Sequence, residues 1–146
     1  MHQPVSLDRS FSVSQYLRDE RFPALAGDLY NEAGTLRIYL RMSKKALTLA
    51  NGANSNIAIG TASFVRITGP SAGFSVSGFA GGAEGRILVI NNAVAQIMTI
   101  TNDATSTAAN RILTQTGADV ALRAGRSSAV FIYDAVDARW ILVASN

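Results

Sequence analysis

Beyond residue 45 the apolar residues fall into short β-favouring runs, divided by clusters of Gly, Asn, Ser and Asp. That texture predicts strands rather than helices. The runs lie at 46–50, 63–68, 73–79, 86–91, 95–101, 111–115, 120–123, 128–134 and 139–144. Between them stand Asn51-Gly52, Gly69-Pro70, Gly81-Gly82, Asn91-Asn92 and Gly117-Ala118-Asp119, where positive φ or Asx turns are expected. Two runs, Ile87-Leu88-Val89-Ile90 and Val130-Phe131-Ile132-Tyr133, are apolar at consecutive positions. Such strands are buried between two layers or between subunits.

The first 45 residues read differently. Ser12 and Gln15 have capping-box spacing, and Val13, Tyr16 and Leu17 share one helical face, so a short helix is expected over 12–21. Phe22 precedes Pro23 and is biased out of the helical region, which ends that helix. Residues 35–42 then alternate Leu36, Ile38 and Leu40 with Arg37, Tyr39 and Arg41, the period-two signature of a half-buried strand. The expected fold is therefore all-β: an N-terminal arm or adaptor over 1–45 with a short helix and a first strand, then an antiparallel β-sandwich or jelly-roll-like domain over 46–146. Asn56-Ile57-Ala58-Ile59 and Gln96-Ile97-Met98-Thr99-Ile100 are loosely alike. No fixed period holds between them, which argues against a solenoid or propeller.

Composition shifts the picture toward assembly. The 146 residues are 48% hydrophobic and only 16% charged, below the roughly 25% charged of average soluble domains. A surface of small uncharged residues accepts extensive contact with other subunits. The net charge is +3, but the basic residues are scattered and the longest run is Lys44-Lys45, so nucleic acid is not the expected partner. With no cysteine there is no disulfide framework and no thiolate chemistry. Residues 1–10 lack the apolar core of a signal peptide, and no stretch reaches the ~20 apolar residues of a membrane helix, so no membrane partner is expected.

Candidate chemistry is sparse. The single histidine is His2, so neither a histidine-dependent triad nor a multi-histidine metal site can form within one chain. Asp134 and Asp137 flank a turn and read as Asx-type backbone acceptors rather than an acid pair. Asn102-Asp103 lacks a spaced calcium-loop pattern, and Gly78, Gly81, Gly82 and Gly85 lack the lysine and helix of a phosphate loop. No catalytic residue, metal or cofactor is expected. Tyr133 and Trp140 are expected to face each other across a C-terminal hairpin and anchor it. In the arm, Phe11, Val13, Tyr16, Leu17 and Phe22, with Arg18 and Arg21 beside them, put apolar surface on a segment too short to bury it alone. These seven residues are the expected partner-binding set.

From residue 85 onward a resemblance enters. The series Gly85-Arg86-Ile87-Leu88-Val89-Ile90-Asn91-Asn92, Ile97-Met98-Thr99-Ile100, Ser106-Thr107-Ala108-Ala109-Asn110-Arg111-Ile112, Thr116-Gly117-Ala118-Asp119-Val120-Ala121-Leu122, Phe131-Ile132-Tyr133-Asp134 and Arg139-Trp140 resembles a β module of phage fibres. It is similar to that of the short head-fibre and capsid-decoration (cement) proteins of tailed bacteriophages. The resemblance implies a non-enzymatic virion protein made in the host cytoplasm and carried on the outer capsid surface. Its implied partners are the major capsid protein and further copies of itself, as a homotrimer. The alternative it leaves open is a tail-fibre tip contacting host cell-surface glycans.

Overall fold

The computed structural model describes residues 27–32 and 35–146, with side chains from residue 41 onward. The expected helix over 12–21 lies outside the described residues. The chain divides into two units, 1–41 and 42–146. The boundary falls before Lys44 and Lys45, because both belong to a strand of the second unit. In the first unit, β1 (Gly27–Glu32) and β2 (Thr35–Leu40) form an antiparallel pair with Asp28 opposite Tyr39 and Leu29 opposite Ile38.

The second unit is all-β apart from one 3-10 turn at Ala108–Asn110. Its first strands are β3 (Lys44–Thr48), β4 (Gly52–Asn54), β5 (Ile57–Ala58), β6 (Phe64–Thr68), β7 (Phe74–Val76), β8 (Phe79–Ala80), β9 (Ile87–Asn92) and β10 (Met98–Ile100). Then come β11 (Ile112–Leu113), β12 (Val120–Leu122), β13 (Ser127–Asp134) and β14 (Arg139–Ser145). Most expected strands recur within a residue or two of their predicted ends, but the run at 95–101 shortens to Met98–Ile100 and the run at 73–79 divides into β7 and β8. β4 and β5 replace what reads as a loop.

The pairing corrects two expectations. β3 runs parallel to β6 with Lys44 opposite Phe64, and β6 runs parallel to β9 with Phe64 opposite Val89. β4, β7 and β10 form a second parallel ladder (Gly52 opposite Phe74, Phe74 opposite Met98), and β5 and β8 form a third (Ile57 opposite Phe79). Each strand therefore lies on one roughly 20 to 25 residues earlier in the chain, so residues 44–100 wind as a three-faced coil, contrary to the expected absence of a repeat. The expected antiparallel arrangement holds only after the coil, and there in part, because β11 runs parallel to β14. β12 pairs antiparallel with β10, and β13 pairs antiparallel with both β9 and β14. These strands close the far side of the coil, giving sheets in the orders β11-β14-β13-β9-β6-β3 and β12-β10-β7-β4.

Alternation sends one side of every strand into a common core. Val65 stacks on Ile90, Phe74 on Met98 and then Leu122, and Val76 on Ile100, all of them buried. Phe79, Phe131 and Trp140 complete that core with three edge-to-face ring contacts that also include Tyr133. Turn corners use residues that tolerate positive φ. At Gly69 (φ +104°), a Cβ would come within 2.6 Å of the Leu49 carbonyl oxygen, so the corner requires glycine. The other side of the six-stranded sheet faces outward and carries two apolar rows beside a polar one, Arg66, Asn91 and Ser128. Leu113, Ile141, Ile132 and Ile87 form one row across four strands, and Val130, Val89 and Phe64 form the next.

Leu88→Ala removes a fully buried side chain from the middle of the coil and is expected to cost about 2–5 kcal/mol. Val136→Ala, at a turn position 93% exposed, is expected to stay within about 0.5 kcal/mol of the parent. Urea denaturation of the two variants checks both values.

Candidate functional site

The second unit is short of charge, and its polar side chains are spent on backbone groups where the coil turns its corners. Asn92 is fully buried, on the inward row that follows Leu47 and Ile67. Its amide donates to the carbonyls of Gln96 (2.8 Å) and Arg123 (3.0 Å), and its oxygen accepts from the Val94 N–H. Asn54 does the same at the end of β4, earlier in the coil: its amide donates to the carbonyls of Ala50, Gly52 and Ser75, and its oxygen accepts from the Ala50 N–H. A buried polar side chain is tolerated only when its donors and acceptors are met, and these are.

Two clusters bind distant segments together. Asn56, in the left-handed region at φ +48°, accepts through one oxygen from the Thr107 N–H, the Thr107 hydroxyl and the Asn110 amide at 2.8–2.9 Å. Behind it the buried hydroxyls of Ser77 and Ser106 lie 3.0 Å apart, and Ser106 also accepts from the Asn56 N–H. Further along, Asn102 accepts from the Thr114 N–H and hydroxyl and donates to the Gly117 carbonyl, while Asp119 accepts from the Asn102 N–H at 2.8 Å. The Asn102-Asp103 pair thus works as a loop tie, and Asp103 meets the guanidinium groups of Arg139 and Arg111 at 3.1 and 3.6 Å.

The C-terminal hairpin holds the densest constellation. Tyr133 and Trp140 are register partners across β13 and β14, with ring centroids 5.3 Å apart and planes at 73°. The Trp140 indole N–H donates to the Phe79 carbonyl at 2.8 Å, tying the hairpin to the second turn of the coil. Arg86 spans three segments: its guanidinium donates to the carbonyls of Gly60 (2.6 Å), Ala62 (2.9 Å) and Gly81, and lies 5.9 Å from the Trp140 ring centre. Gly82 fits under the Tyr133 ring, where any Cβ would collide with ring carbons. A planar fork with several donors suits this clamp better than an ammonium does.

Asp134 accepts from the N–H groups of Val136 and Asp137, and the Glu84 carboxylate accepts from the Ala135 N–H, so these acids shape the hairpin turn. A shallow groove of about 400 Å³ opens on the outer side of the four-stranded sheet, lined by Ala53, Ser75, Thr99, Thr101, Ile97 and Asp119. Among the described residues no three His, Cys, Asp or Glu side chains converge. The arm residues Phe11, Val13, Tyr16, Leu17, Arg18, Arg21 and Phe22 lie outside the described residues. Sequence reasoning missed Arg86, Asn56 and Asn92 as ties. The one available signal was their position at the ends of apolar runs, with Arg86 beside Gly85 and Asn92 beside Asn91. No protein-family model matches the chain, and no curated protein matches it.

Arg86→Lys keeps the charge but cannot reach three carbonyls with a fixed fork. It is expected to lower stability by about 1–3 kcal/mol in chemical denaturation. An unchanged denaturation midpoint would show that the fork is not what joins the corners.

Proposed function

We propose that the chain is a structural, non-catalytic virion protein of a tailed bacteriophage, a capsid decoration (cement) or head-fibre protein that binds and stabilises the shell. Its partners in this reading are the major capsid protein and further copies of itself, assembled as a homotrimer on the outer capsid surface. The observation that carries the reading is the employment of the polar side chains. Asn54, Asn56, Asn92, Asn102 and Arg86 are engaged in fastening one turn of backbone to another. Side chains used this way make a stiff, chemically quiet module, and stiffness is what a shell reinforcement needs. The order of motifs from Gly85 to Trp140 supports the phage assignment. Many weak contacts by many copies then add up to resistance against internal pressure. At the finer level of fold, the six- and four-stranded sheets are read as faces of a short parallel coil with an antiparallel closure, in place of the layers of a sandwich or jelly roll.

A second reading, a tail-fibre tip that contacts host glycans, draws on the groove lined by Ser75, Thr99, Thr101 and Asp119. Hydroxyl and carboxylate groups beside the apolar Ile97 are suited to a sugar ring. Binding of the purified chain to a glycan array, lost in Thr99→Tyr, would favour it.

Quantitative mass spectrometry of purified virions tests the main reading. A copy ratio near parity with the major capsid subunit is the result expected of decoration, and a ratio far below it points to sparse fibres. Absence of the chain from virions overturns the structural assignment.

A further inference from the structure

The outward apolar rows of the six-stranded sheet are used by neither the core nor the corner ties. Ile87 is 50% and Ile132 37% exposed, and they are direct register partners. Val89 and Val130 pair beside them and are half-buried. Isoleucine and valine at the exposed positions of paired strands leave a continuous apolar band where a solvated face would alternate with polar residues. Arg139, opposite Asp134 in register, is taken up by Asp103, and the charges on this face that lack an ionic partner among the described residues are divided by side. On the β3–β6 side stand Lys44 and Arg66, both exposed and without a partner among the described residues. At the β13–β14 turn stands Asp137, exposed and with no partner for its carboxylate, next to Asp134 and Glu84.

We propose that this face is the surface through which copies of the chain associate, the apolar rows meeting while the Lys44–Arg66 side of one copy lies against the Asp137 turn of the next. A second copy is the occupant because the face is complementary to itself. A nucleic acid or an anionic membrane calls for one sign of charge throughout, whereas a face basic on one side and acidic on the other is matched by its own opposite side. Contacts that join two different edges are heterologous, and rotation about an axis closes them into a ring. The inference rests on the homo-oligomer part of the structural reading. Its test uses the purified full chain without virions, so it can fail while the virion assignment stands.

Light scattering and sedimentation at micromolar concentration measure the mass. The wild-type chain is expected above one subunit mass. Ile87→Lys with Ile132→Lys is expected to give a single-chain mass with unchanged circular dichroism. Ile97→Lys, which puts a single lysine on an exposed apolar position beside the four-stranded sheet, is expected to keep the wild-type mass. Arg66→Glu is expected to weaken association by about tenfold or more, and adding Asp137→Arg to the same chain should restore it. A wild-type chain that stays single up to about 100 µM overturns the inference. So does a folded double lysine variant of wild-type mass, or equal dissociation by Ile97→Lys. Should the lysine pair unfold the protein, the charge pair decides: no weakening, or no recovery in the swap, overturns it.

Discussion

The register in which inward side chains stack from one turn of the coil to the next is the constraint on which the rest of the second unit depends. Val65 over Ile90 and Phe74 over Met98 hold only if each strand meets its neighbour at one offset. A slip of one residue would turn Leu88 and Ile90 outward and bring Val89 and Asn91 into the core, so the hydrophobic effect enforces the offset strongly. The corners must then accept whatever backbone path the stacking dictates. Their carbonyls and N–H groups are left without ladder partners, and Asn54, Asn92 and Arg86 supply the missing bonds. The ties are thus a consequence of the stacking.

How much of this was legible in the sequence follows the same physics. The strands were legible, because alternation and β-branched runs act locally. So was the facing of Tyr133 and Trp140, because a hairpin brings near neighbours together. The direction of pairing was not legible: Phe64–Thr68 has the same alternation whether its partner runs parallel or antiparallel. Turns of unequal length, Lys44 to Phe64 in one and Phe64 to Val89 in the next, hide the repeat from any search for a fixed period. Gly52–Asn54 and Ile57–Ala58 are too short to show a period and too rich in turn residues to suggest strands. The ties were hidden for a further reason. An Asn that caps its own turn and one that reaches fifty residues along the chain, as Asn56 does to Thr107, look alike in a string of letters.

The doubly apolar runs show where a sequence reading stops short. Consecutive apolar residues at 87–90 imply that both sides of the strand are wanted dry, and the core accounts for one side only. Low overall charge bears on the same point: with 16% charged residues, the chain has little electrostatic repulsion to keep copies apart. Corner carbonyls are met by side-chain amides and a guanidinium, while Ile87, Val89, Val130 and Ile132 on this outer face stand outside the core.

The place of β13 has a consequence for how the protein is made. It lies between β9 and β14, in the interior of the six-stranded sheet, yet it comes later in the chain than every strand of the coil. Until residues 127–134 have followed, Ile87–Asn92 is the bare rim of an otherwise formed coil, with its hydrogen-bonding groups open to any passing strand. Pairing with β13 removes that edge, so the interval between making β9 and making β13 is the time in which chains at high local concentration can join at the wrong edge.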